Sequence, residues 1–256
     1  MTSSMDSFFR NYNSDSATGL YNSLAPLYDF IYSIHYNYNL QENLVQEYVS
    51  SDAQSIIEGA CGTGRLTNRL DSSFEKVVGF DINKGVLEIA KDRNPSIDFR
   101  TADMTELEIE ETFDVYCVLG NSAVHLVNGM FESFIAQSTT IVNDNGYLIF
   151  DYMPKDSMVD GYSGTNTFET ERYKVKRDTV TTKKDLNHYY MSFSFKVSKL
   201  ETGNSFRCGD TIISRVFDKS EIGRLLRKYG FSTVQHLNYS DKDNAAIEDG
   251  VTIAKY

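Results

Sequence analysis

The residues with chemistry to offer begin at Ile56-Ile57-Glu58-Gly59-Ala60-Cys61-Gly62-Thr63-Gly64, where an apolar run meets a helix-forming one. Glycines at such a junction permit a tight turn and let a ligand approach the backbone closely, as in dinucleotide-type loops. The spacing is G-x-x-G-x-G and differs from the G-x-G-x-x-G of nicotinamide sites. On its own the loop could equally be a bare strand-to-helix turn. Asp81 follows 22 residues after Gly59, at the end of the next apolar run. An acid at the tip of a second strand can grip a ribose diol with two hydrogen bonds, or simply cap the next helix. Asp103, in Thr101-Ala102-Asp103-Met104, closes a third run, where the edge of an adenine amino group would lie. Loop, Asp81 and Asp103 all fall at carboxyl ends of expected strands, where open α/β sheets bind ligands.

Beyond a fourth apolar run lies Gly120-Asn121-Ser122-Ala123-Val124-His125-Leu126. His125 in that polar loop could cap a helix, or could act as a general base that orients or deprotonates a nucleophile near neutral pH. His35, His188 and His236 have no partner motif. The chain has 17 tyrosines and no tryptophan, and Tyr21, Tyr28, Tyr36 and Tyr38 cluster near its start. Their rings could pack a helix onto a sheet or line a cation site, where each contact contributes roughly 0.5–2 kcal/mol. Arg65, one turn beyond the Gly-rich loop, could reach a carboxylate or face solvent.

These residues need elements to hold them. Apolar spacing over Leu20–Ser50 predicts two helices with a break near His35–Asn39. Strands are expected at Ser55–Ile57, Lys76–Phe80, Ile97–Thr101, Phe113–Leu119 and Tyr147–Tyr152. Helices are expected at Arg65–Leu70, Lys84–Asp92 and Met130–Val142, with Asn143–Gly146 as a turn. Alternation of this kind implies right-handed crossovers and a mostly parallel sheet with helices on both faces, a Rossmann-like α/β fold. Period-2 patterning over Thr165–Arg215 predicts an antiparallel β insertion of about three strands, spanning about 160–216. Asp218 or Ser220 can cap a helix over Glu221–Tyr229, with Gly230 as its C′ residue. Phe231–Leu237 and Ile247–Ala254 would close the sheet. Residues 1–20 are expected as a flexible N-terminal arm and 21–256 as one domain with the insertion as lid or platform.

Taken together, the motifs resemble those of the class I S-adenosylmethionine-dependent methyltransferases. Glu58 to Gly64 matches that family's first motif, Asp81 its ribose-binding acid, Ala102-Asp103-Met104 its adenine-binding segment, and Phe113 to Asn121 its fourth-strand motif. The resemblance implies S-adenosylmethionine as cofactor. Glu58 would organise the loop and the methionine ammonium through water. Gly59, Ala60, Gly62 and Gly64 would shape the loop, with Gly62 and Gly64 making room for methionine and ribose. Ile82 would pack on adenine beside Met104, Leu119 would offer its carbonyl to the ammonium, and Arg65, Tyr28 and Tyr38 complete the cofactor set. The segment Gly120 to Leu126 further resembles small-molecule N-methyltransferases acting on glycine or sarcosine, or on nucleotide-linked amino sugars. Both groups carry an N-terminal tyrosine-rich helix like Tyr21 to Asp29 and an antiparallel insertion. In the amino-sugar group, residues matching Tyr21 and His125 lie near the acceptor nitrogen, which makes these two the candidate catalytic pair. The glycine enzymes have an arginine just after strand five. Here Asp151-Tyr152-Met153-Pro154 has none, which argues against glycine.

The resulting expectation is methyl transfer to a small molecule, with an amine as acceptor. O- or C-methylation of a natural product and a non-catalytic S-adenosylmethionine-binding partner stay open as alternatives. Composition bounds the reading further. The 256 residues carry 25 Lys+Arg against 36 Asp+Glu, a net charge of −11, which argues against nucleic acid or an anionic membrane as partner. Three scattered cysteines with no metal spacing predict no metal site and a reduced, cytoplasmic setting. No run approaches the ~18 apolar residues of a membrane span. A homo-oligomer is compatible with all of this.

Overall fold

The computed structural model describes Met5, residues 19–239 and residues 249–256. The rest of the expected N-terminal arm, and residues 247 and 248 of the expected last strand, lie outside the described residues. Eleven strands form two sheets among the described residues. The larger takes β1 (Ser55–Gly59), β2 (Lys76–Asp81), β3 (Asp98–Thr101), β4 (Phe113–Val118), β5 (Val142–Tyr152), β10 (Thr233–Tyr239) and β11 (Asp249–Lys255) in the order β10-β11-β5-β4-β1-β2-β3. The pairs from β5 through β3 run parallel, while β11 is antiparallel to both β5 and β10. The chain runs outward from β1 to β3 and returns to place β4 on the other side of β1. That reversal opens a crevice at the carboxyl ends of β1 and β4, the usual ligand position in such sheets.

Burial on both faces explains the near-continuous apolar runs of β1, β2 and β4, in which only Ser55, Lys76 and Asp114 are not buried. Helices α3 (Arg65–Leu70), α4 (Lys84–Arg93), α5 (Met130–Ile141) and α6 (Lys219–Lys228) lie between the strands as expected. Asp218 caps α6, its carboxylate accepting from the Ser220 N–H at 2.7 Å, and Gly230 follows with φ of 95°. One boundary differs from the sequence reading. No separate turn divides α5 from the next strand: β5 begins at Val142, directly at the helix end, and residues 143–146 form an irregularity within it. The register with β4 passes from Phe113↔Val142 to Val115↔Tyr147, and Asn145 takes the expected positive φ of 65° inside that bulge.

The insertion is a separate four-stranded antiparallel sheet, one strand more than expected, ordered β6 (Ser163–Glu169), β7 (Tyr173–Lys183), β8 (His188–Lys199) and β9 (Ser205–Arg215). One face packs on helix α1 (Ala25–His35): Leu27, Phe30 and Ile31 meet Phe168, Val175 and Val197 in one buried cluster. Helix α2 (Tyr38–Tyr48) follows after a short extended break and packs against the main sheet. Helix α1 is therefore sandwiched, with the insertion on one side and the β1–β4 crevice on the other.

Candidate active site

Three adjoining cavities lie at the carboxyl ends of the strands. The first, about 210 Å³, is walled by Ala60, Asp81, Ile82, Asp103 and Met104, with Tyr21, Tyr28 and His125 opposite. A narrower one, about 30 Å³, is polar and lies between Glu58, Thr63, Arg65, Tyr28, Tyr38 and Leu119. The third, about 200 Å³, lies under the insertion and includes Tyr21, Tyr36, His125 and side chains from β6 to β9. Gly120 lines all three, so the cavities converge on the loop after β4, ringed by Tyr21, Tyr28, Tyr36 and His125.

Asp81 ends β2 and turns back toward the Gly-rich loop. It accepts from the Gly62 N–H at 3.0 Å and from the Asn83 N–H at 2.8 Å, so it fixes the loop while lining the first cavity. Burial pushes its carboxyl above the usual range despite these donors. Asp103 uses Oδ1 for the Thr105 backbone N–H and hydroxyl, at 2.8 and 2.7 Å. Ile82 leaves 59 % of its surface exposed on the cavity wall, an apolar face of the kind a planar ring covers. Acid, acid and exposed apolar face together suit an adenosine. Glu58 is buried and accepts from the Thr67 hydroxyl at 2.5 Å. Burial first, and Asp81 nearby, push its pKa up to about 8. Glu58 in the narrow cavity is thus a carboxyl short of a cation, as a methionine ammonium would supply. The residues present fit S-adenosylmethionine.

Three glycines of the expected cofactor set, Gly59, Gly62 and Gly64, line none of the three cavities, and two of them, Gly59 and Gly64, are tightly packed. A Cβ on Gly59 would stand 2.8 Å from Tyr116, and one on Gly64 2.8 Å from Phe99. Close packing of loop on sheet and helix excludes a side chain at both. Arg65 lines the narrow cavity, but it also chelates Asp29 of α1, at 2.9 and 3.0 Å. Arg93 of α4 and the Thr63 hydroxyl bind the same carboxylate at 2.8 and 2.7 Å. Burial opposes the Asp29 charge, yet the Arg65 and Arg93 guanidiniums hold its pKa below the usual range. Asp29 thereby ties α1 to the loop. Its isolated position on an apolar helix face is the sequence signal that could have found it.

The candidate catalytic pair meets in space. Tyr21 Oη lies 3.0 Å from His125 Nε2, across 104 residues of chain. Burial alone lowers the His125 pKa, so its imidazole is neutral at physiological pH. Burial raises the Tyr21 phenol well above 10, so it keeps its proton. Behind them, Asp151 accepts from the Gly120 and Asn121 N–H groups, each at 2.8 Å. Asn121 holds a φ of 62° and donates its side-chain amide to Asp249 at 2.8 Å. Asp151 is fully buried and shapes the loop that carries His125.

Residues 56–146 match the family of methyltransferase domains. The chain is similar to dTDP-4-amino-2,3,4,6-tetradeoxy-D-glucose N,N-dimethyltransferase of Saccharopolyspora spinosa, with 32 % identity over 75 residues, 29 % of this chain and 30 % of that enzyme. The match therefore spans less than a third of that enzyme. It is 22 % identical to malonyl-[acyl-carrier protein] O-methyltransferase of Bacillus anthracis over 211 residues, covering 79 % of this chain and 74 % of that protein. Among solved structures, Streptomyces venezuelae DesVI superposes with a TM-score of 0.81 at 18 % identity, covering 90 % of this chain and 97 % of that one.

Proposed function

We propose that the chain is a class I S-adenosylmethionine-dependent methyltransferase that methylates the amine of a small polar acceptor, a reading supported by its methyltransferase-domain match over residues 56–146 and by its fold. The observation that carries this reading is the Tyr21–His125 contact at the junction of the three cavities. When bound, S-adenosylmethionine supplies an electrophilic methyl group, whose bond to sulfur breaks as the bond to the acceptor forms. The chain's own residues hold and dry the site. Asp81 and Asp103 offer acceptors for the ribose and adenine, Ile82 and Met104 an apolar wall, and Glu58 a carboxylate for the ammonium. Tyr28 and Tyr38 wall the narrow cavity beside Glu58.

A protonated amine has no lone pair to offer. Neutral His125 Nε2 is positioned to take a proton through the Tyr21 hydroxyl, which can receive one from the acceptor nitrogen while donating its own. The insertion and α1 both line the third cavity, so that donor and acceptor can be held near ~3–3.5 Å in line. The amino-sugar dimethyltransferase similarity supports an amine. The O-methyltransferase similarity, longer and weaker in identity, supports a second reading in which an oxygen is the acceptor.

Formation of S-adenosylhomocysteine is the measurement, against a panel of small amines, amino sugars, carboxylic acids and phenols. Turnover with amines, and a stable N-methyl product, is expected. Turnover with oxygen acceptors alone would replace the amine reading with the second one.

A further inference from the structure

Arg177 stands out in the cavity under the insertion. It lies on β7 beside Thr179, and i,i+2 neighbours on a strand share a face. Among the described residues it is the one Lys or Arg in that wall, and no Asp or Glu lines it. Elsewhere the guanidiniums of Arg65, Arg69, Arg93, Arg100 and Arg215 each hold a carboxylate. Arg177 holds none among the described residues. Its protein partners are the Asn166 carboxamide oxygen at 3.3 Å and two aromatic rings, Phe168 and Phe193, at 5.2 and 5.9 Å from its Cζ. The rings carry no hydrogen-bond acceptor, so apart from the Asn166 contact its N–H groups have no carboxylate to bind among the described residues. Its Nε is buried without a hydrogen-bond partner, and so is the Thr179 hydroxyl. A chain of net charge −11 thus keeps, among its described residues, a cation without a carboxylate and an unused hydroxyl in one cavity wall.

Unmade charged hydrogen bonds are costly when buried, and a planar guanidinium matches a carboxylate or phosphate in a two-point fork. We infer that Arg177 and Thr179 form an anion site, and that the methyl acceptor carries a carboxylate or phosphate group remote from its amine. The inference rests on the amine reading for the acceptor's other end. It restores an anionic anchor that the sequence lacks after strand five, and supplies it from the insertion instead.

The test uses three matched amines: ethanolamine, β-alanine and O-phosphoethanolamine. Their binding to the full chain saturated with S-adenosylhomocysteine is measured by calorimetry, for wild type, Arg177→Met and Arg177→Lys. The two anionic probes should bind wild type more tightly than ethanolamine. Arg177→Met, which keeps the stem against the rings, should weaken them ~10- to 150-fold and leave ethanolamine unchanged. Arg177→Lys should recover the phosphate probe more than the carboxylate probe, which depends more on the fork. Separation of the two anionic probes in wild type tells carboxylate from phosphate. S-adenosylhomocysteine affinity should be the same in all three proteins, which excludes misfolding. Equal binding of the three amines, failure of both anionic probes to bind, or discrimination that survives Arg177→Met overturns the anion site. A base-labile methyl ester on β-alanine also overturns it as a remote anchor. Arg177-dependent binding with no methylamine formed would leave the site standing and overturn the amine reading instead.

Discussion

His125 carries the proton argument, and its surroundings set the pH at which it works. Burial lowers its pKa, so the acidic limb of the activity profile should fall below ~6.5, the ordinary imidazole value. His125→Asn should cut turnover ~10²–10⁴-fold and abolish that limb, with cofactor affinity retained. Tyr21→Phe keeps the ring against Tyr28 and His125 and deletes the hydroxyl, so a relay through it predicts a loss of similar size. A steady-state pH series on both variants checks this. Glu58 gives a second residue-scale expectation. Its pKa of about 8 lies above that of the unfolded chain, so folding opposes its ionisation. Stability of the unliganded protein should decline as pH rises from the ordinary carboxylate range toward 8. A bound ammonium favours the charged form, so cofactor binding at pH 7 should release a proton. Calorimetry in buffers of different ionisation enthalpy measures that release, and Glu58→Gln should eliminate it.

Among the elements, α1 is the one whose position depends on a single carboxylate. Asp29 gathers Arg65 from α3, Arg93 from α4 and the Thr63 hydroxyl of the loop. Asp29→Ala would leave two partly buried guanidiniums unpaired, at a cost of ~3 kcal/mol, and would loosen the wall that carries Tyr21 and Tyr28. A lower melting temperature together with weaker S-adenosylhomocysteine binding is the expected outcome. The sign with pH follows from the depressed pKa of Asp29. Its contribution is present above the ordinary carboxylate pKa and is lost as pH falls through the lower folded value. Chemical denaturation at neutral and acid pH should therefore show the Asp29→Ala difference shrinking on acidification.

At the scale of the whole molecule, the two sheets meet through α1, and the cavities lie where they meet. Ligand that fills the first cavity bridges strand tips and α1, so it should stabilise the fold as a unit. S-adenosylhomocysteine at ~100 times its dissociation constant should add about 2.7 kcal/mol, visible as a raised melting temperature. NAD should give no shift, because the loop and Asp103 suit adenosine with methionine. A shift with NAD and none with S-adenosylhomocysteine would count against the cofactor assignment. No helix among the described residues is long and apolar enough to cross a membrane.

The local grammar of the main sheet was legible because each parallel strand is buried on both faces and reads as a short apolar run. That is why the helix at Arg65–Leu70 and the strand tip at Asp81 fall where the spacing puts them. The Gly-rich loop, Asp81 and Asp103 could be read as a site because strand ends are a property of chain order. Residue 142 could not be assigned from pattern: Val142 is apolar in either a helix or a strand, and its pairing with Phe113 decided for the strand. Contacts across long separations were equally illegible. Tyr21 with His125, Asp29 with Arg93, and Asn121 with Asp249 are each pairs whose members look ordinary alone. Gly64 read as room for a ligand, and only the folded chain shows that Phe99 packs against it as well. Arg177 is one basic residue among 25 until the fold sets it in a cavity wall that, among the described residues, holds no Asp or Glu. Periodicity and turn chemistry are local energies that a sequence carries residue by residue. Which buried charge goes unpaired depends on three-dimensional neighbours, and only the folded chain determines those.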